Sequence, residues 1–230
     1  MVHVPPLLAV IIPTLNAADG LPACLAALVQ ARNDGLIAHV IVSDGGSSDA
    51  TLAIARDAQA QLVTGQPGRG QQLQRGADAA TAPWLLFLHA DTVLEPGWAE
   101  AARTHIAQAP DHAAVFTFAL NEDSAPAHRL ARMVAWRVRV LGLPYGDQAL
   151  LISRALYDEI GGYRAMPLME DVDIVRRLGR RRLRMLHPRA ITSARRYLRE
   201  GYLMRSTRNL FCLSLYFLGV PAGLIKRIYG

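Results

Sequence analysis

The stretch that most constrains the fold is residues 84–92, where five consecutive apolar residues run directly into His89-Ala90-Asp91. Pro83 precedes the run and the turn-prone Glu95-Pro96-Gly97 follows it, which is typical of a short buried strand. A strand that is apolar on both faces lies in the middle of a parallel sheet covered by helices. Because ligands bind at the carboxyl ends of such strands, the pattern predicts an α/β protein with His89 and Asp91 at its functional edge. An Asp in that position can hold a hard divalent cation that carries substrate phosphates.

Composition sets the class of protein. Apolar residues make up 51% of the 230 positions, so the chain can bury a large hydrophobic core. Its length predicts one domain, or one domain with an appendage. Cys24 and Cys212 are far apart in sequence, which favours a reducing, cytoplasmic setting over a disulfide framework. The N-terminal apolar run lacks a basic region and is broken by Pro5, Pro6 and Pro13, so we expect no secretory leader.

Charge is distributed unevenly along the chain. Residues 1–170 carry 11 Arg and Lys against 16 Asp and Glu, a net charge of −5, whereas residues 171–230 carry 14 against 3, a net charge of +11. A basic segment of this size implies an acidic partner such as phosphates, anionic lipid head groups or nucleic acid.

Hydrophobic periodicity predicts alternating strands and helices. Residues 7–12 and 37–42 indicate buried strands, and residues 21–32 have the spacing of a helix. Each strand is followed by a turn and a helix, with a carboxylate at the second strand's tip, which is the βαβ arrangement. Further strands are predicted at 61–63, 114–120, 149–152 and 184–186, and further helices from near Ala50 and at 71–80, 98–109, 128–141, 155–160 and 169–180.

The C-terminal segment is predicted to be helical from about Arg199. Its apolar stretch, residues 210–225, is interrupted by Gly219, Pro221 and Gly223, and it is shorter than the roughly 20 residues of a single membrane span. Basic residues flank it, which is compatible with an interfacial helix on an anionic membrane or with a contact in a homodimer. The alternative is a helix packed on its own domain.

Acidic residues stand at four predicted strand tips or helix starts: Asp44, Asp91, Asp147 and the pair Glu170-Asp171. In this order the chain resembles a family 2 glycosyltransferase of the GT-A fold over residues 8–185, and in particular a small bacterial soluble subgroup. The segments that carry the resemblance to the family are Val10-Ile11-Ile12-Pro13-Thr14-Leu15-Asn16, Asp44-Gly45-Gly46-Ser47-Ser48-Asp49, His89-Ala90-Asp91 at the Asp-x-Asp motif, Gly161-Gly162-Tyr163 and Glu170-Asp171. The segments that resemble the subgroup are Ser193-Ala194-Arg195-Arg196 and Gly201-Tyr202.

The resemblance implies a fold and a domain division. It implies a GT-A domain over residues 1–190, with a Rossmann-like, mostly parallel sheet flanked by helices. Residues 191–230 would form a basic and apolar helical extension.

The resemblance also implies roles for individual residues. Asp44 would contact the nucleoside of a nucleotide-sugar donor, with Thr14 and Asn16 lining the same pocket and Arg69 meeting the phosphates. Asp91 would bind Mg²⁺ or Mn²⁺. Asp171 would be the general base that deprotonates the acceptor hydroxyl, with Glu170 placing it, so that one displacement inverts the anomeric centre.

Two positions depart from the family's pattern. His89 replaces the first Asp of Asp-x-Asp; it could contact the ribose, ligate the metal, or be only a polar residue at a strand end. Ala17 stands where a Glu often follows Asn16, which leaves the nucleobase open.

For several other polar residues the sequence is compatible with either a functional or a structural role. Asp147 is either an acceptor ligand or a turn residue, and His187 either an extra metal ligand or structural. Arg195 and Arg196 either clamp an anionic group or form a solvated basic face. Trp84 and Trp98 are assigned to the core.

Two other functions remain open from the sequence: a nucleotidyltransferase of related fold, and a non-catalytic module that binds nucleotide or membrane. The first normally has a Gly-rich loop after its opening strand, where this chain has Pro13-Thr14-Leu15-Asn16. No nucleic-acid-binding module is recognised. The expected partners are a nucleotide-sugar donor and a small-molecule or lipid-linked acceptor, with peripheral contact at the inner face of the membrane and a homodimer as further possibilities.

Overall fold

One eight-stranded sheet runs through the protein, for which the computed structural model describes residues 7–229. The expectation of no secretory leader depends on residues 1–6 and lies outside the described residues. The strands are β1 (Leu8–Thr14), β2 (Ile37–Asp44), β3 (Gln61–Thr64), β4 (Trp84–Phe87), β5 (Thr92–Leu94), β6 (Ala113–Leu120), β7 (Leu150–Ser153) and β8 (Leu183–Thr192). The helices are α1 (Leu21–Ala26), α2 (Val29–Asn33), α3 (Thr51–Asp57), α4 (Arg69–Asp78), α5 (Trp98–Gln108), α6 (Ala125–Leu141), α7 (Arg154–Glu159), α8 (Glu170–Leu178), α9 (Arg195–Glu200), α10 (Tyr202–Phe217) and α11 (Ala222–Tyr229).

The strand order is β3-β2-β1-β4-β7-β6-β8-β5. The four strands from β3 to β4 are all parallel, β7 runs antiparallel to both β4 and β6, and β8 is parallel to β6. The prediction of an α/β, mostly parallel sheet flanked by helices is therefore confirmed. Trp84 and Trp98 are core residues as expected, with 6% and 4% of their surface exposed.

The connection from β4 to β5 shows that the sheet is curled. Only residues 88–91 join the two strands, although three other strands lie between them in the sheet. In a flat sheet the four strand spacings would separate them by about 19 Å, whereas the connection reaches about 17 Å fully extended. It is in fact contracted into a turn, because the Thr92 N–H donates to the carbonyl of His89 at 3.1 Å. The sheet therefore curls so that β4 and β5 approach each other, and His89 and Asp91 lie in the turn that joins them.

Two differences from the predicted elements have local physical causes. The predicted helix 21–32 is divided into α1 and α2, and the carbonyl of Ala27 at the break accepts a hydrogen bond from the Trp98 indole at 3.2 Å. The predicted strand 184–186 is too short, because β8 continues to Thr192. Phe116 pairs with Leu186 but Thr117 pairs with Arg189, so a bulge accommodates Pro188, which has no N–H for the ladder.

The three C-terminal helices α9, α10 and α11 pack on the sheet domain. Cys212, Leu213 and Ile225 are buried in the same apolar cluster as Val134 of α6 and Val175 of α8. The predicted boundary at residue 190 falls inside β8, two residues before that strand ends. Within residues 7–229, no helix has both the length and the apolar character needed to cross a membrane.

Candidate active site

Two adjoining cavities lie where the sheet closes. The larger has a volume of about 490 Å³ and includes Asn16 and Arg195 in its wall, and the smaller has a volume of about 130 Å³. The residues common to both walls are Arg69, His89, Asp91, Ser193 and Arg196. The residues that separate the two cavities thus include three of the predicted site residues.

The Asp44 carboxylate builds the loop at the tip of β2. One oxygen accepts from Thr14 Oγ1 at 2.9 Å and Ser47 Oγ at 2.5 Å, and the other accepts from the N–H groups of Gly46 and Ser47, both at 2.8 Å. Burial acts to raise the pKa of Asp44, but these hydrogen bonds outweigh it and lower the pKa below its usual value. Asp44 and Thr14 are both buried and belong to neither cavity wall. The structure gives them a role in shaping the loop, and direct contact with a nucleoside stays a prediction.

Asn16 holds the β1 turn against the same loop. Its backbone adopts φ +50°, and its side-chain oxygen accepts from the Ser48 N–H at 2.9 Å. Asp49 accepts from the Ala18 N–H at 3.1 Å and from Thr51 Oγ1 at 2.5 Å. The two motifs at residues 10–16 and 44–49 therefore form one hydrogen-bonded rim beside the larger cavity.

Arg69 at the start of α4 forms an ion pair with Glu170. The Glu170 side chain is 1% exposed, whereas the Arg69 side chain is 37% exposed and belongs to both cavity walls. Burial raises the pKa of Glu170, and Arg69 opposes that shift. Burial acts to lower the pKa of Arg69, but Glu170 and Asp171 outweigh it and raise the pKa. Glu170 thus lies behind the site and positions Arg69.

Asp171 faces the smaller cavity from the first turn of α8. Its Oδ2 accepts from the Gly146 N–H at 2.9 Å, and its Oδ1 accepts from the Val172 N–H at 2.8 Å. Met169, just before the helix, adopts the left-handed conformation at φ +66°, which is unfavourable for a residue with a Cβ and orients the helix start. A carboxylate at a helix N-terminus is stabilised by the helix dipole.

The Gly161-Gly162-Tyr163 motif packs against α8. Both glycines have positive φ, at +74° and +58°, and their loop accepts hydrogen bonds from Arg177, which also pairs with Asp173 at 2.7 Å. Tyr163 is buried and packs edge-on against Phe87 of the central strand, with ring centroids 4.8 Å apart. This motif therefore connects the helix that carries Asp171 to the strand that leads to Asp91.

His89 and Asp91 occupy the turn between β4 and β5. Burial and then the charge of Arg69 lower the pKa of His89 to about 4, so its imidazole is neutral at pH 7. Asp91 is exposed at the junction of the two cavities. Gly20 packs against this turn so closely that a Cβ on it would lie 2.9 Å from the Asp91 Cα.

The donor set suits Mg²⁺ or Mn²⁺ held together with a substrate. Within the part of the chain that the structure describes, no three His, Cys, Asp or Glu side chains are grouped as a complete metal site. Mg²⁺ is commonly bound by one or two carboxylates together with waters and substrate phosphates. The exposed Asp91 carboxylate fits that use, and the neutral imidazole of His89 is available as a second ligand.

The smaller cavity is completed by the C-terminal helices. Arg205 and Asn209 of α10 and Tyr229 of α11 line it together with Asp147. Asp147 Oδ1 and Asn209 Oδ1 are buried without a hydrogen-bond partner within residues 7–229. Burial raises the pKa of Asp147 to about 6. Both atoms are acceptors, so the cavity suits a ligand that brings hydroxyl or amine donors.

Three further candidate residues and two residues without a motif occupy different places relative to the cavities. Arg195 forms an exposed ion pair with Asp19 at 2.7 Å, whereas Arg196, like Arg69, belongs to both cavity walls. His187 is exposed on β8 and lines neither cavity, so the structure does not bring it to Asp91. Asn209 and Tyr229 belong to no recognised sequence motif, and only the packing of α10 and α11 brings them to the site.

Gly146 is the other residue missed. A Cβ on it would lie 2.6 Å from His89 Nε2 and 3.5 Å from Asp171 Oδ2. Its one signal in the sequence was its place directly before Asp147, a candidate turn residue. The backbone at Gly146 therefore fits between two of the predicted site residues.

The family profile described as Glycosyl transferase family 2 matches residues 9–169. Among curated relatives, a PGL/p-HBAD biosynthesis glycosyltransferase from Mycobacterium tuberculosis is 40% identical over 96 residues, which are 39% of this chain and 37% of that protein. Glycosyltransferase AglJ from Haloferax volcanii is 28% identical over 163 residues, 70% of this chain and 50% of that protein. The matches therefore span half or less of these relatives' own length.

Solved structures share the fold. Glucosyl-3-phosphoglycerate synthase from Mycobacterium tuberculosis, in complex with Mn²⁺ and UDP-glucose, aligns with a TM-score of 0.63 at 18% identity, covering 94% of this chain and 80% of that chain. The same enzyme with Mg²⁺ and UDP aligns with a TM-score of 0.58 at 19% identity, covering 82% and 70%.

Proposed function

Because this chain belongs to glycosyl transferase family 2, we propose that it transfers a sugar from a nucleotide-sugar donor to an acceptor hydroxyl with inversion at the anomeric carbon. The observation that carries the proposal is the position of Asp171. Its carboxylate faces the smaller cavity, fixed by the Gly146 N–H at 2.9 Å, while Asp91 and Arg69 lie at the junction with the larger cavity. The proposed base thus borders the smaller cavity and the proposed anion-binding residues border both, which supports transfer of the sugar at their junction.

The larger cavity is the proposed donor site. Its wall includes Asn16, Arg69 and Arg196, which supply an amide and two guanidinium groups for a nucleoside diphosphate. Mg²⁺ or Mn²⁺ on Asp91, with His89 as second ligand, would neutralise the charge of the leaving diphosphate. The neighbouring structures that contain UDP-glucose with Mn²⁺ and UDP with Mg²⁺ make UDP the first nucleotide to test.

The smaller cavity is the proposed acceptor site. The unpartnered oxygens of Asp147 and Asn209 would accept from hydroxyl groups of the acceptor. Asp171 would take the proton of the attacking hydroxyl as that oxygen bonds to the anomeric carbon and the nucleoside diphosphate departs. Glu170 keeps Arg69 in place through their ion pair. The proposed acceptor is a small-molecule or lipid-linked hydroxyl compound.

The first experiment is a calorimetric titration of the protein with UDP, GDP, CDP and dTDP, each with and without Mn²⁺. We expect one nucleotide to bind with an affinity that depends on the metal. Release of that nucleoside diphosphate from its sugar conjugates would then be measured. Nucleotide binding without turnover of any conjugate would favour the non-catalytic module, and release of pyrophosphate from a nucleoside triphosphate would favour the nucleotidyltransferase.

The second experiment tests the base with Asp171→Asn, in which the amide oxygen can still accept from the Gly146 N–H. Since general base catalysis contributes about 100- to 10,000-fold, transfer should fall by that factor while nucleotide binding is retained. Asp158→Asn is the matched control, because Asp158 is 62% exposed on α7. A wild-type rate in Asp171→Asn would exclude Asp171 as the base.

A further inference from the structure

Three helices on the outside of the molecule carry basic residues and no acidic ones. Helices α6, α10 and α11 contain no Asp or Glu. Their basic residues are Arg129, Arg132, Arg137, Arg139, Arg205, Arg208, Lys226 and Arg227. Arg205 and Arg208 pair with Glu200, so they add little to the outward charge. The charge of the C-terminal segment is therefore continued by α6, which lies 60 residues or more earlier in the sequence.

Helix α6 has two opposite faces. Leu130, Val134 and Val138 are buried against the sheet domain at the spacing of a helical stripe. On the other side, Met133 is 50% exposed and Trp136 is 59% exposed. Exposed arginines alternate with them along that side: Arg129, Arg132 and Arg139. A helix with aromatic and apolar side chains framed by arginines is typical of the interface between water and lipid.

Helix α10 also has a buried inner face and an exposed apolar outer face, and its inner face borders the smaller cavity. Its inner face holds Cys212 in the core and presents Arg205 and Asn209 to the smaller cavity. Its outer face is apolar, with Leu203 79% exposed and Phe211 54% exposed. One helix therefore separates the candidate active site from an exposed apolar surface.

Helices α6, α10 and α11 pack on the same side of the sheet, since Val134, Cys212 and Ile225 belong to one apolar cluster. The end of α6 and the second half of α10 border one groove of about 760 Å³, which includes Leu141, Leu210 and Phe217 in its wall. Arg176 and Arg180 are at its edge, and Arg180 donates to the carbonyl of Arg139 at 3.0 Å. We call the exposed residues of α6, α10 and α11 on this side of the sheet the outer helical face.

We propose that the outer helical face docks on an anionic lipid bilayer, with Trp136, Phe211 and their apolar neighbours at the level of the head groups. Charge complementarity selects this occupant. Apolar side chains gain from leaving water, and arginines gain from anionic lipid phosphates, so both components of the face are satisfied by one surface. A second copy of the chain would bring the positive charges of Arg129, Arg132 and Arg139 close to those of its partner. Nucleic acid would satisfy the arginines but leave the apolar side chains in water.

Docking in this way has a geometric consequence. Because α10 separates the smaller cavity from the outer helical face, the cavity would lie about one helix diameter, roughly 10 Å, from the lipid surface. An acceptor hydroxyl carried by a lipid would be within reach of the site. The docking proposal itself does not rest on the proposed transferase activity, since it concerns surfaces outside the two cavities.

The protein contains its own reporter for this proposal. Of its three tryptophans, Trp84 and Trp98 are buried and Trp136 is exposed. The test is titration of the full chain with vesicles of neutral phosphatidylcholine and with vesicles that contain about one third phosphatidylglycerol. We expect co-flotation with the anionic vesicles, a blue shift of tryptophan emission, and quenching by brominated acyl chains. Trp136→Phe should still float and lose the spectral shift.

Two sets of variants separate the apolar and the basic contributions. Met133→Ser with Trp136→Ser should lower the partition coefficient, and so should replacement of Arg129, Arg132 and Arg139 by Gln. At about 1 kcal/mol per arginine, the triple Gln variant should lose roughly 100-fold, and added salt should weaken wild-type binding in the same direction. Val29→Ser, 54% exposed on α2, and Arg56→Gln, exposed on α3, are the matched controls.

Several outcomes would overturn the proposal. These are no flotation with anionic vesicles at low salt, flotation without any change in Trp136 emission, or flotation that the outer-face variants leave unchanged. Light scattering that shows a dimer abolished by Trp136→Ser would assign the face to a second copy. Melting temperatures and nucleotide titration of every variant establish that the fold and the donor site are intact, so loss of docking is distinguished from failure of the proposed enzymatic activity.

Discussion

Gly146→Ala is the sharpest test of how the site is assembled. The new Cβ would lie 2.6 Å from His89 Nε2 and 3.0 Å from His89 Cε1, whereas ordinary contacts begin at 3.4 Å. Since Gly146 does not have a positive φ, the substitution is opposed by this contact and not by the backbone conformation.

The size of the effect follows from the distances. Restoring an ordinary contact requires His89, or the backbone at residue 146, to move by about 0.8 Å, and a misplacement of about 1 Å at reacting groups can cost about 100-fold in rate. If the backbone moves, the 2.9 Å hydrogen bond from the Gly146 N–H to Asp171 Oδ2 is lengthened. We therefore expect the rate of sugar transfer to fall by about 10- to 100-fold.

The assay is release of the nucleoside diphosphate at saturating donor and acceptor, alongside the melting temperature. Gly223→Ala is the control, because no atom lies within 4 Å of a Cβ at that position in α11, and alanine in a helix is neutral to favourable. A Gly146→Ala protein that melts near the wild-type temperature and turns over at the wild-type rate would refute the proposed fit between residue 146, His89 and Asp171.

Three further predictions concern charged residues. Asp91→Asn should remove the Mn²⁺ dependence of nucleotide binding in calorimetry, and unchanged dependence would place the metal elsewhere. Arg69→Gln leaves Glu170 buried without its partner. Since Arg69 is partly exposed, we expect the free energy of unfolding in urea to fall by about 2 kcal/mol, less than for a fully buried pair. The double variant with Glu170→Gln should recover part of that free energy. Asp44→Asn should lose about 3 kcal/mol at pH 7, because the partly buried N–H groups of Gly46 and Ser47 and the buried Thr14 hydroxyl lose a charged acceptor. Because the folded-state pKa of Asp44 is lowered, the contribution of its charged form to stability is complete above about pH 4 and is lost as the pH falls further. The difference in unfolding free energy between wild type and variant should therefore be smaller at about pH 3 than at pH 7. An equal difference at both pH values would contradict the assigned role.

Much of the site was predictable because it is encoded locally. A buried strand must end, and its last polar residues then lie at the carboxyl edge of a parallel sheet, which is why Asp44, His89 and Asp91 could be placed at strand tips from the sequence. Glycines that need positive φ and an acidic first turn likewise gave Gly161-Gly162 and the start of α8. The role of Glu170 was less visible, because the sequence does not show that Arg69, 101 positions earlier, lies beside it.

The sequence by itself determined the elements, the family resemblance and the side chains that could do the chemistry. Tertiary structure alone decided which of them share a cavity. The closure of the sheet places the turn at residues 89–91 beside the start of α8, and the packing of α10 and α11 brings Asn209 and Tyr229 to the smaller cavity. It also turned Asp44 inward, where four protein hydrogen bonds occupy its oxygens. Local periodicity reports which face of each element is buried, but contacts between distant segments depend on how the whole sheet curls, and no local pattern records that.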